Sequence, residues 1–443
     1  MECINNEKGG IIFLDAPPGG TGKTFLINLL LVEIRSKNKI ALAMASSGIA
    51  ATLMEGGRTA HSALKLPLNI NVEEYPVCNI SKTSGQAKVL QTCTILVWDE
   101  CTMAHKKSLE ALDRTLRDLI KNDQLLGGSL LLLAGDFRQT LPVIPNSTPA
   151  DELNACLKTS PLRKFVKRFT LKSNTRVWFC RNETAQNFAD ILQQIGEATF
   201  PTDSNGEINF TDDFCTQVKT VQELINEIYP GIAENYKNHD WLCERAILAT
   251  KNDAVHELNT RIQEMMPGPV TEYRSIDTVV YIGDAVNFPI EFLNTLDPPG
   301  MPPHRLQLKI GSVIILLCNL DPPKLCNGTR LNVERLLTNI IEATILTGKG
   351  KGQDVFIPRI PLVPTEIHFS FKRLQFPVRL AFAITVNKTQ GQSIKWSGVN
   401  LESPCFSHGQ LYVACSRVGS PKHLFIDAPS VKTKNVIYRQ AQD

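Results

Sequence analysis

A short glycine-rich run near the N-terminus holds the residues best suited to chemistry. In order, it contains Gly19, Gly20, Thr21, Gly22, Lys23 and Thr24. Glycines between a strand and a helix let backbone N–H groups turn towards phosphate oxygens, and the helix N-terminus adds positive partial charge. In such a loop Lys23 would reach the β- and γ-phosphates of a nucleotide, and the Thr24 hydroxyl would bind Mg²⁺. The run therefore predicts a nucleotide phosphate site. Either Pro17 replaces the glycine of the usual pattern, or one residue has been inserted there.

Two acidic residues at the end of another apolar run supply what a nucleotide hydrolase needs next. The run Ile95–Trp98 leads directly into Asp99 and Glu100. Asp99 would help to hold Mg²⁺, and Glu100 would act as general base towards the attacking water. Nucleotide binding alone requires no base, so Glu100 favours hydrolysis. After a further apolar run, Gln139 is in position to sense the γ-phosphate.

These residues need a scaffold that brings several loops to one edge of a sheet. Short apolar runs predict strands at Gly10–Ala16, Ile40–Ala45, Thr94–Trp98 and Leu130–Ala134. Apolar residues at helical spacing predict helices over Phe25–Lys37 and Lys106–Leu119. Apolar strands that alternate with helices indicate an α/β fold, in which a parallel sheet is covered on both faces.

The remainder of the chain is of two kinds. From about 274 to 364 it is rich in β-branched residues and turn signals, which predicts a β-rich insertion. The α/β character returns from Phe371, with a strand near Ala381–Thr385 and a helix over Gly409–Val418. We therefore predict a first lobe over 1–150 with a small insertion at about 56–92, a second lobe over 151–270 and 371–443, and a β-rich insertion over 271–370.

The composition of the 443 residues excludes several classes of protein. Hydrophobic residues make up 43% and charged residues 21%, which argues against intrinsic disorder. The 12 cysteines form no CxxC pair, so neither a zinc site nor a disulfide framework is expected. No apolar stretch suits a membrane span or a secretory signal, which predicts an intracellular protein without a membrane partner. A net charge of +3 is compatible with nucleic acid but does not require it.

Further motifs follow in a fixed order along the chain. They are Ser46–Ala51, Arg58–Ser62, Ser108–Gly128, Lys172–Arg176, Thr385–Ser393 and Gln410–Arg417. Together with the phosphate loop and the acidic pair, they make the chain similar to the PIF-type DNA helicases of superfamily one, and especially to the helicase portion of Helitron transposon proteins. The resemblance implies two RecA-like P-loop NTPase lobes with an SH3-like β-rich insertion in the second lobe.

The resemblance also implies roles for individual residues. Arg176 and Arg417 would be arginine fingers that face the γ-phosphate from the second lobe. Gln390 would contact the nucleotide phosphates and, with Lys388, link them to DNA. The residues implied to bind DNA are Ser47, Gly48, His61, Ser62, Lys388 and Gln392.

The function implied by the resemblance is that of an ATP-dependent DNA helicase that uses Mg²⁺. Such a protein would move 5′ to 3′ on single-stranded DNA and unwind tailed duplex DNA, as a monomer or a DNA-induced dimer. Its expected place is the nucleus, or alternatively the mitochondrion. The work implied there is DNA repair, recombination, telomere maintenance or Helitron transposition.

Three other interpretations stay open. The chain departs from the family pattern at Pro17, Thr175 and Cys318, and the upstream glutamine element that reads adenine does not precede Ile11. These departures fit a transposon-derived remnant that binds DNA or nucleotide without unwinding. The second alternative is a nucleotide switch, and the third is RNA as the track, since backbone contacts discriminate poorly between single strands.

Overall fold

A computed structural model gives the fold of this chain. The residues it describes are 9–17, 20–67, 69–144, 147–171, 183–281, 283, 286–364, 367, 369–429 and 432–442. Two predicted site residues, Gly19 and Arg176, lie outside these ranges. Within the ranges, no helix combines the length and the apolar character that a bilayer crossing requires.

The described residues form short strands and helices throughout. The strands are β1 (Gly10–Asp15), β2 (Ile40–Ala45), β3 (Arg58–Thr59), β4 (Cys93–Asp99), β5 (Leu130–Gly135), β6 (Val166–Thr170), β7 (Glu207–Asn209), β8 (Thr216–Val218), β9 (Arg245–Ala249), β10 (Thr271–Arg274), β11 (Ile276–Val279), β12 (Arg305–Leu308), β13 (Val313–Leu316), β14 (Arg330–Leu336), β15 (Ile340–Ile345), β16 (Asp354–Pro358), β17 (Ile360–Leu362), β18 (Phe371–Gln375), β19 (Val378–Leu380), β20 (Ala383–Thr385), β21 (Trp396–Asn400), β22 (Leu424–Asp427) and β23 (Lys432–Lys434). The α-helices are α1 (Lys23–Ser36), α2 (Gly48–Thr52), α3 (Ala60–Leu64), α4 (Gly85–Thr92), α5 (Lys106–Ile120), α6 (Pro149–Ala155), α7 (Glu183–Gly196), α8 (Val221–Ile228), α9 (Ile232–Asn235), α10 (His239–Cys243), α11 (Asn252–Glu264), α12 (Ile290–Thr295) and α13 (Gln410–Cys415).

The first lobe is built on a parallel sheet of six strands in the order β3-β2-β4-β5-β1-β6. Successive residues of β4 face opposite cores, as the two-residue period of a strand requires. Ile95 and Val97 pack in the core that α1 covers, whereas Leu96 and Trp98 pack in the core that α5 covers. Helices therefore cover both faces, which is why the strands read as continuous apolar runs.

Strand β6 corrects the predicted boundary of the first lobe at residue 150. It pairs in parallel with β1, with Val166 beside Ile11, and so belongs to the first sheet. The sequence pattern did not reveal it because β6 is an edge strand whose residues are mostly exposed and polar. An apolar run is a signal only for a strand that is buried on both faces.

The second lobe is built on a parallel sheet of five strands in the order β20-β9-β21-β22-β8. Its core includes Ile247, Leu248 and Val399, all fully buried. The neighbours β9 and β20 lie far apart in sequence, because the whole β-rich insertion connects them. The predicted arrangement of two α/β lobes with an insertion in the second is thus what the sheets form.

The insertion contains an antiparallel sheet of five strands in the order β16-β15-β14-β13-β19, with its own apolar core. Two smaller antiparallel sheets, β10-β12 and β11-β18-β17, lie beside it in the chain. Because β19 pairs with β13, with Leu380 beside Ile314, the insertion runs past its predicted end at residue 370.

Candidate nucleotide site and nucleic-acid interface

The described residues of the phosphate loop lie between β1 and α1. Gly20 and Gly22 have φ angles of 124° and 77°, in the region that side chains with a Cβ disfavour. The Thr21 hydroxyl donates a hydrogen bond to the carbonyl oxygen of Pro17 at 3.0 Å, which closes the loop. Helix α1 then begins at Lys23. Pro17 is therefore accommodated as an acceptor at the start of the loop.

Lys23 lies against both predicted carboxylates. Its Nζ is 2.8 Å from Asp99 Oδ1 and 2.6 Å from Glu100 Oε1. Burial disfavours the charge on Lys23, but the two adjacent carboxylates outweigh it and raise the pKa of the ammonium group above its ordinary value. The loop and the end of β4 thus form one charged cluster, whereas the sequence assigned Lys23 to the nucleotide phosphates.

Glu100 adopts a left-handed backbone conformation, with φ 49° and ψ 38°. A side chain with a Cβ rarely occupies this region, and when it does the surrounding structure must hold it there. Its backbone N–H donates to Asp99 Oδ1 at 2.9 Å. Burial alone would raise the pKa of Glu100, but the Lys23 charge and the Gln390 amide lower it, which favours the ionised form that a general base requires.

Asp99, at the end of β4, carries the kind of oxygen ligand that Mg²⁺ prefers. Burial and the neighbouring Glu100 charge raise the pKa of Asp99, against the effect of Lys23. No group of three or more histidine, cysteine, aspartate or glutamate side chains within the described ranges could enclose a metal by itself. Mg²⁺ commonly takes one or two protein oxygens and fills its remaining positions with phosphate and water. The Asp99 carboxylate and the Thr24 hydroxyl, which the sequence assigns to Mg²⁺, are oxygen donors of the kind that it takes.

Gln390 connects the second lobe to this cluster. Its side-chain oxygen accepts a hydrogen bond from the Thr140 hydroxyl at 2.6 Å, and its amide nitrogen donates to Glu100 Oε2 at 3.2 Å. All three side chains are buried. The sequence assigned Gln390 to the phosphates, whereas the structure places it on the predicted base.

Gln139 and Arg417 are also buried between the same motifs, but neither contacts the phosphate loop through a hydrogen bond in the described structure. The side-chain oxygen of Gln139 has no hydrogen-bond partner among the described residues. Arg417 donates to the carbonyl oxygens of Val413, Thr389 and Gln392 at 2.8 to 3.1 Å. Burial lowers the pKa of its guanidinium, and the charge of Glu100 partly opposes this. As placed, Arg417 shapes the loop that carries Gln390.

The predicted DNA-binding residues form two groups. In the first, Ser47 caps α2 by accepting from the Ala50 N–H at 3.1 Å, and a Cβ on Gly391 would lie 3.3 Å from Ala50. Gln392 donates its amide to the Lys388 carbonyl oxygen at 2.9 Å, and the Lys388 side chain is exposed. The loop of the second lobe therefore lies directly on the start of α2.

Gly48 belongs to the same group, and the backbone packs too closely there for a larger residue. A Cβ at this position would lie 2.2 Å from the carbonyl oxygen of Asn327, in a loop of the β-rich insertion. The first lobe, the second lobe and the insertion therefore all meet at α2.

His61 and Ser62 form the second group, on α3. Both are exposed, and the Ser62 N–H donates to the Thr59 hydroxyl at 3.3 Å. His61 also lines a cavity of about 180 Å³ together with Trp98 and His105. Sequence reasoning did not place His105 here, since nothing in its surroundings along the chain marks it.

A second contact between the lobes escaped sequence reasoning altogether. The Tyr412 hydroxyl donates to Asp136 Oδ2 at 2.9 Å, and Arg138 Nε donates to Asp136 Oδ1 at 2.8 Å. Arg138 Nη1 also lies 3.4 Å from Glu197 Oε1, just after the end of α7. Asp136 lies in the same motif as Gln139, and Tyr412 in the same motif as Arg417. Membership of these motifs was the only sign in the sequence that linked the two residues to the site.

Family models match two parts of the chain. The model described as PIF1-like helicase matches residues 1–206, and the model described as DNA helicase Pif1, 2B domain, matches residues 291–336. The second match falls within the β-rich insertion.

Curated relatives match most of the chain. ATP-dependent DNA helicase PIF1 of Danio rerio is 25% identical over 422 residues, which cover 90% of this chain and 56% of the relative. ATP-dependent DNA helicase Pif1 of Psychrobacter sp. is 26% identical in an alignment 466 positions long, and the alignment covers 94% of this chain and 65% of the relative. The chain thus spans between half and two thirds of the length of these relatives.

Solved structures share the fold. The crystal structure of Pif1 helicase from Candida albicans is 21% identical, with a TM-score of 0.69 over 100% of this chain and 96% of that chain. Pif1 helicase from Bacteroides in complex with ADP-AlF3 and ssDNA is 20% identical, with a TM-score of 0.69 over 100% and 92%. The likeness confirms the predicted pair of RecA-like α/β lobes with a β-rich region. The matched models, relatives and fold together make this chain similar to the PIF1-like helicases.

Proposed function

We propose that this chain is an ATP-dependent DNA helicase that moves along single-stranded DNA. The observation that carries the proposal is the hydrogen bond from Gln390 of the second lobe to Glu100 of the first. It joins the candidate base for hydrolysis to the loop that presents Lys388 and Gln392. A motor needs such a link, because hydrolysis in the cleft must alter how the lobes hold the strand.

In the first lobe, the proposed cycle begins with a change of partner for Lys23. When nucleotide binds, Lys23 exchanges the Asp99 and Glu100 carboxylates for the β- and γ-phosphates. Mg²⁺ held by Thr24 and Asp99 would neutralise charge that develops on the phosphates. Without Lys23, Glu100 is free to accept a proton from the attacking water.

In the second lobe, Gln390 and the arginines would respond to the nucleotide. The Gln390 amide holds Glu100 in place, and Gln139 has an unused acceptor in the same buried region. Arg176 and Arg417 are proposed to stabilise the charge of the transition state. To reach the phosphate, Arg417 would first break some of its hydrogen bonds to backbone carbonyl oxygens. Because two of those oxygens belong to the loop around Gln390, contact of Arg417 with the phosphate would change the shape of that loop.

Single-stranded DNA is proposed to cross α2 and α3 and the loop of the second lobe. Ser47 and Gly48 mark the start of α2, and the loop that packs on α2 through Gly391 also carries the exposed Lys388. Backbone contacts of this kind position a strand without reading its sequence.

The finer assignments rest on the resemblance. They are movement from 5′ to 3′, unwinding of tailed duplexes, and action in DNA repair, recombination, telomere maintenance or Helitron transposition in the nucleus or mitochondrion. One solved relative is described as two coordinating Pif1 helicases at forked dsDNA, which supports including a DNA-induced dimer beside the monomer in the proposal.

The first test is ATP hydrolysis by the purified chain with and without single-stranded DNA. Coupling through Gln390 predicts stimulation by about tenfold or more, as expected when a ligand completes a catalytic site. Phosphate release measured with a DNA oligonucleotide, and with RNA of the same sequence, checks it. Hydrolysis that neither the DNA nor the RNA oligonucleotide stimulates would favour a nucleotide switch. A folded chain that does not hydrolyse ATP would favour a transposon-derived remnant.

Gln390→Ala is expected to remove most of the DNA stimulation while the basal rate changes much less. The variant loses the hydrogen bond between the lobes but keeps Lys23, Asp99 and Glu100. Gln353→Ala, at an exposed position in the insertion, is the matched control and should behave as wild type. Stimulation that survives in Gln390→Ala would contradict the proposed link.

A further inference from the structure

Among the strands that the structure describes, β6 lies at one edge of the first sheet. It pairs with β1 on one side, and no other described strand pairs with its outer side. Its residues are nearly all exposed, including Phe169 at 58%. Phe165, just before the strand, is 47% exposed. An open edge presents backbone N–H and C=O groups that a further strand can use.

The edge is strongly basic. Four cations occur within six residues, at Arg163, Lys164, Lys167 and Arg168. Arg168 pairs with the carboxylate of Asp15. Lysines on an edge commonly prevent pairing between copies of a protein. That role does not account for two exposed phenylalanines, which would favour association.

A cavity lies beside the same strand. Its volume is about 150 Å³, and its apolar lining is formed by Phe13, Leu109, Leu133, Phe137, Leu157 and Val166. Lys158, Arg163 and Arg168 complete the wall. A dry apolar cavity of this size can hold one ring-sized apolar group. The cavity therefore suits an apolar side chain with an acidic group next to it.

The positions along β6 divide this chemistry between two faces. Val166 and Arg168 line the cavity, whereas Lys167 and Phe169 point to the opposite face, as the alternation of a strand requires. Each face of β6 therefore presents one apolar side chain and one positively charged side chain. An added strand would meet apolar and basic groups whichever face its side chains take.

Lys158 reinforces the preference for an anion. Its Nζ donates to the backbone oxygen of Gln442 at 2.6 Å and lies 4.5 Å from the centre of the Phe137 ring. Burial, together with the nearby Arg168 and Arg163 charges, lowers the pKa of Lys158 to about 8. A carboxylate in the cavity would relieve this crowding of positive charge.

The edge is remote from the proposed DNA track. Strand β3, which leads into His61 and Ser62, forms the opposite edge of the sheet, with four strands between it and β6. At the usual strand spacing the two edges are about 24 Å apart. A strand of DNA held at α2 and α3 therefore does not account for the basic edge.

We propose that the β6 edge binds an acidic peptide segment of a partner protein, which adds to the sheet as a further strand and places an apolar side chain in the cavity. Backbone hydrogen bonds would supply affinity, and the alternating side chains would supply specificity.

The test uses a fluorescein-labelled peptide that alternates glutamate with leucine or phenylalanine. Anisotropy should detect binding to the wild-type chain, and no binding of the same peptide with proline in place of each apolar residue. The double variant Lys167→Glu, Phe169→Asp should bind about tenfold more weakly, as for loss of an interface anchor. Lys219→Glu, an exposed lysine in the second lobe, is the control and should bind as wild type.

A second measurement does not depend on the variants folding. Hydrogen exchange of the wild-type chain should slow over 166–170 when the peptide is added. Failure of the peptide to bind, equal binding by the double variant, or protection elsewhere would overturn the proposal. Binding of labelled oligothymidylate, but not of the peptide, to the basic edge would also overturn the proposal, because the surface would then be a nucleic-acid site. None of these outcomes depends on ATP hydrolysis.

Discussion

Lys23→Ala is expected to reduce DNA-stimulated ATP hydrolysis by ~10³-fold, because phosphoryl transfer relies on fixed charges at the phosphates. Binding of single-stranded DNA should remain largely intact, since Lys23 lies at the end of the phosphate loop and not on α2 or α3. Steady-state phosphate release, together with anisotropy of a labelled oligonucleotide, separates the two effects.

Lys23→Ala should also change how the stability of the protein depends on pH. Without Lys23, Asp99 and Glu100 remain buried side by side, and one of them should take up a proton. A carboxyl group whose pKa is raised in the folded state stabilises the fold at low pH and loses that effect as pH rises through the raised value. The melting temperature of Lys23→Ala should therefore fall further below wild type at pH 8 than at pH 5.

Lys37→Ala provides the comparison for this prediction. Lys37 is exposed at the end of α1 and pairs with Glu33, so its loss should leave hydrolysis and its pH dependence unchanged. Full hydrolysis by Lys23→Ala would show that the glycine-rich loop is not the phosphate site.

Glu100→Gln is expected to slow hydrolysis by ~10² to 10⁴-fold, the contribution typical of a general base. Nucleotide should still bind, because the amide keeps the shape of the side chain and leaves Lys23 and Asp99 in place. The expected signature is a loss in kcat at little change in the affinity for a fluorescent ATP analogue. Glutamine accepts the left-handed backbone at this position as readily as glutamate does, so the fold should be kept.

Glu33→Gln is the matched change for Glu100→Gln. It removes an exposed carboxylate on α1, close in sequence to the loop but outside the cluster. Turnover by Glu100→Gln at the wild-type rate would remove Glu100 as the base, and a parallel loss in both variants would point to a general effect of charge.

Residues that follow two strands of one parallel sheet could be brought together from sequence. Lys23 follows β1 and Glu100 follows β4, and the carboxyl ends of parallel strands share one edge. Their contact at 2.6 Å is the physical result of that rule. Local patterns also sufficed for the apolar strands, because strands buried on both faces read as continuous apolar runs.

Contacts between the lobes were beyond such reasoning. Gln390 meets Glu100, and Tyr412 meets Asp136, across more than half of the chain. Which buried polar groups pair depends on how two separately formed sheets dock, and no local pattern encodes docking. Arg417 shows the same limit, since its motif is readable but its bonds to backbone carbonyls follow from the path of the neighbouring loop.

The position of the β-rich insertion has a consequence for the making of the protein. Strand β9 is translated well before β20, its partner in the second sheet, since Ile247 pairs with Ala383. At ordinary rates of synthesis the ribosome takes roughly 7 to 27 s to cover that distance. During this interval the apolar residues of β9 have emerged without a neighbour on that side. The second lobe should therefore be the part of the nascent chain that depends most on chaperones, whereas the first sheet can close once β6 has left the ribosome.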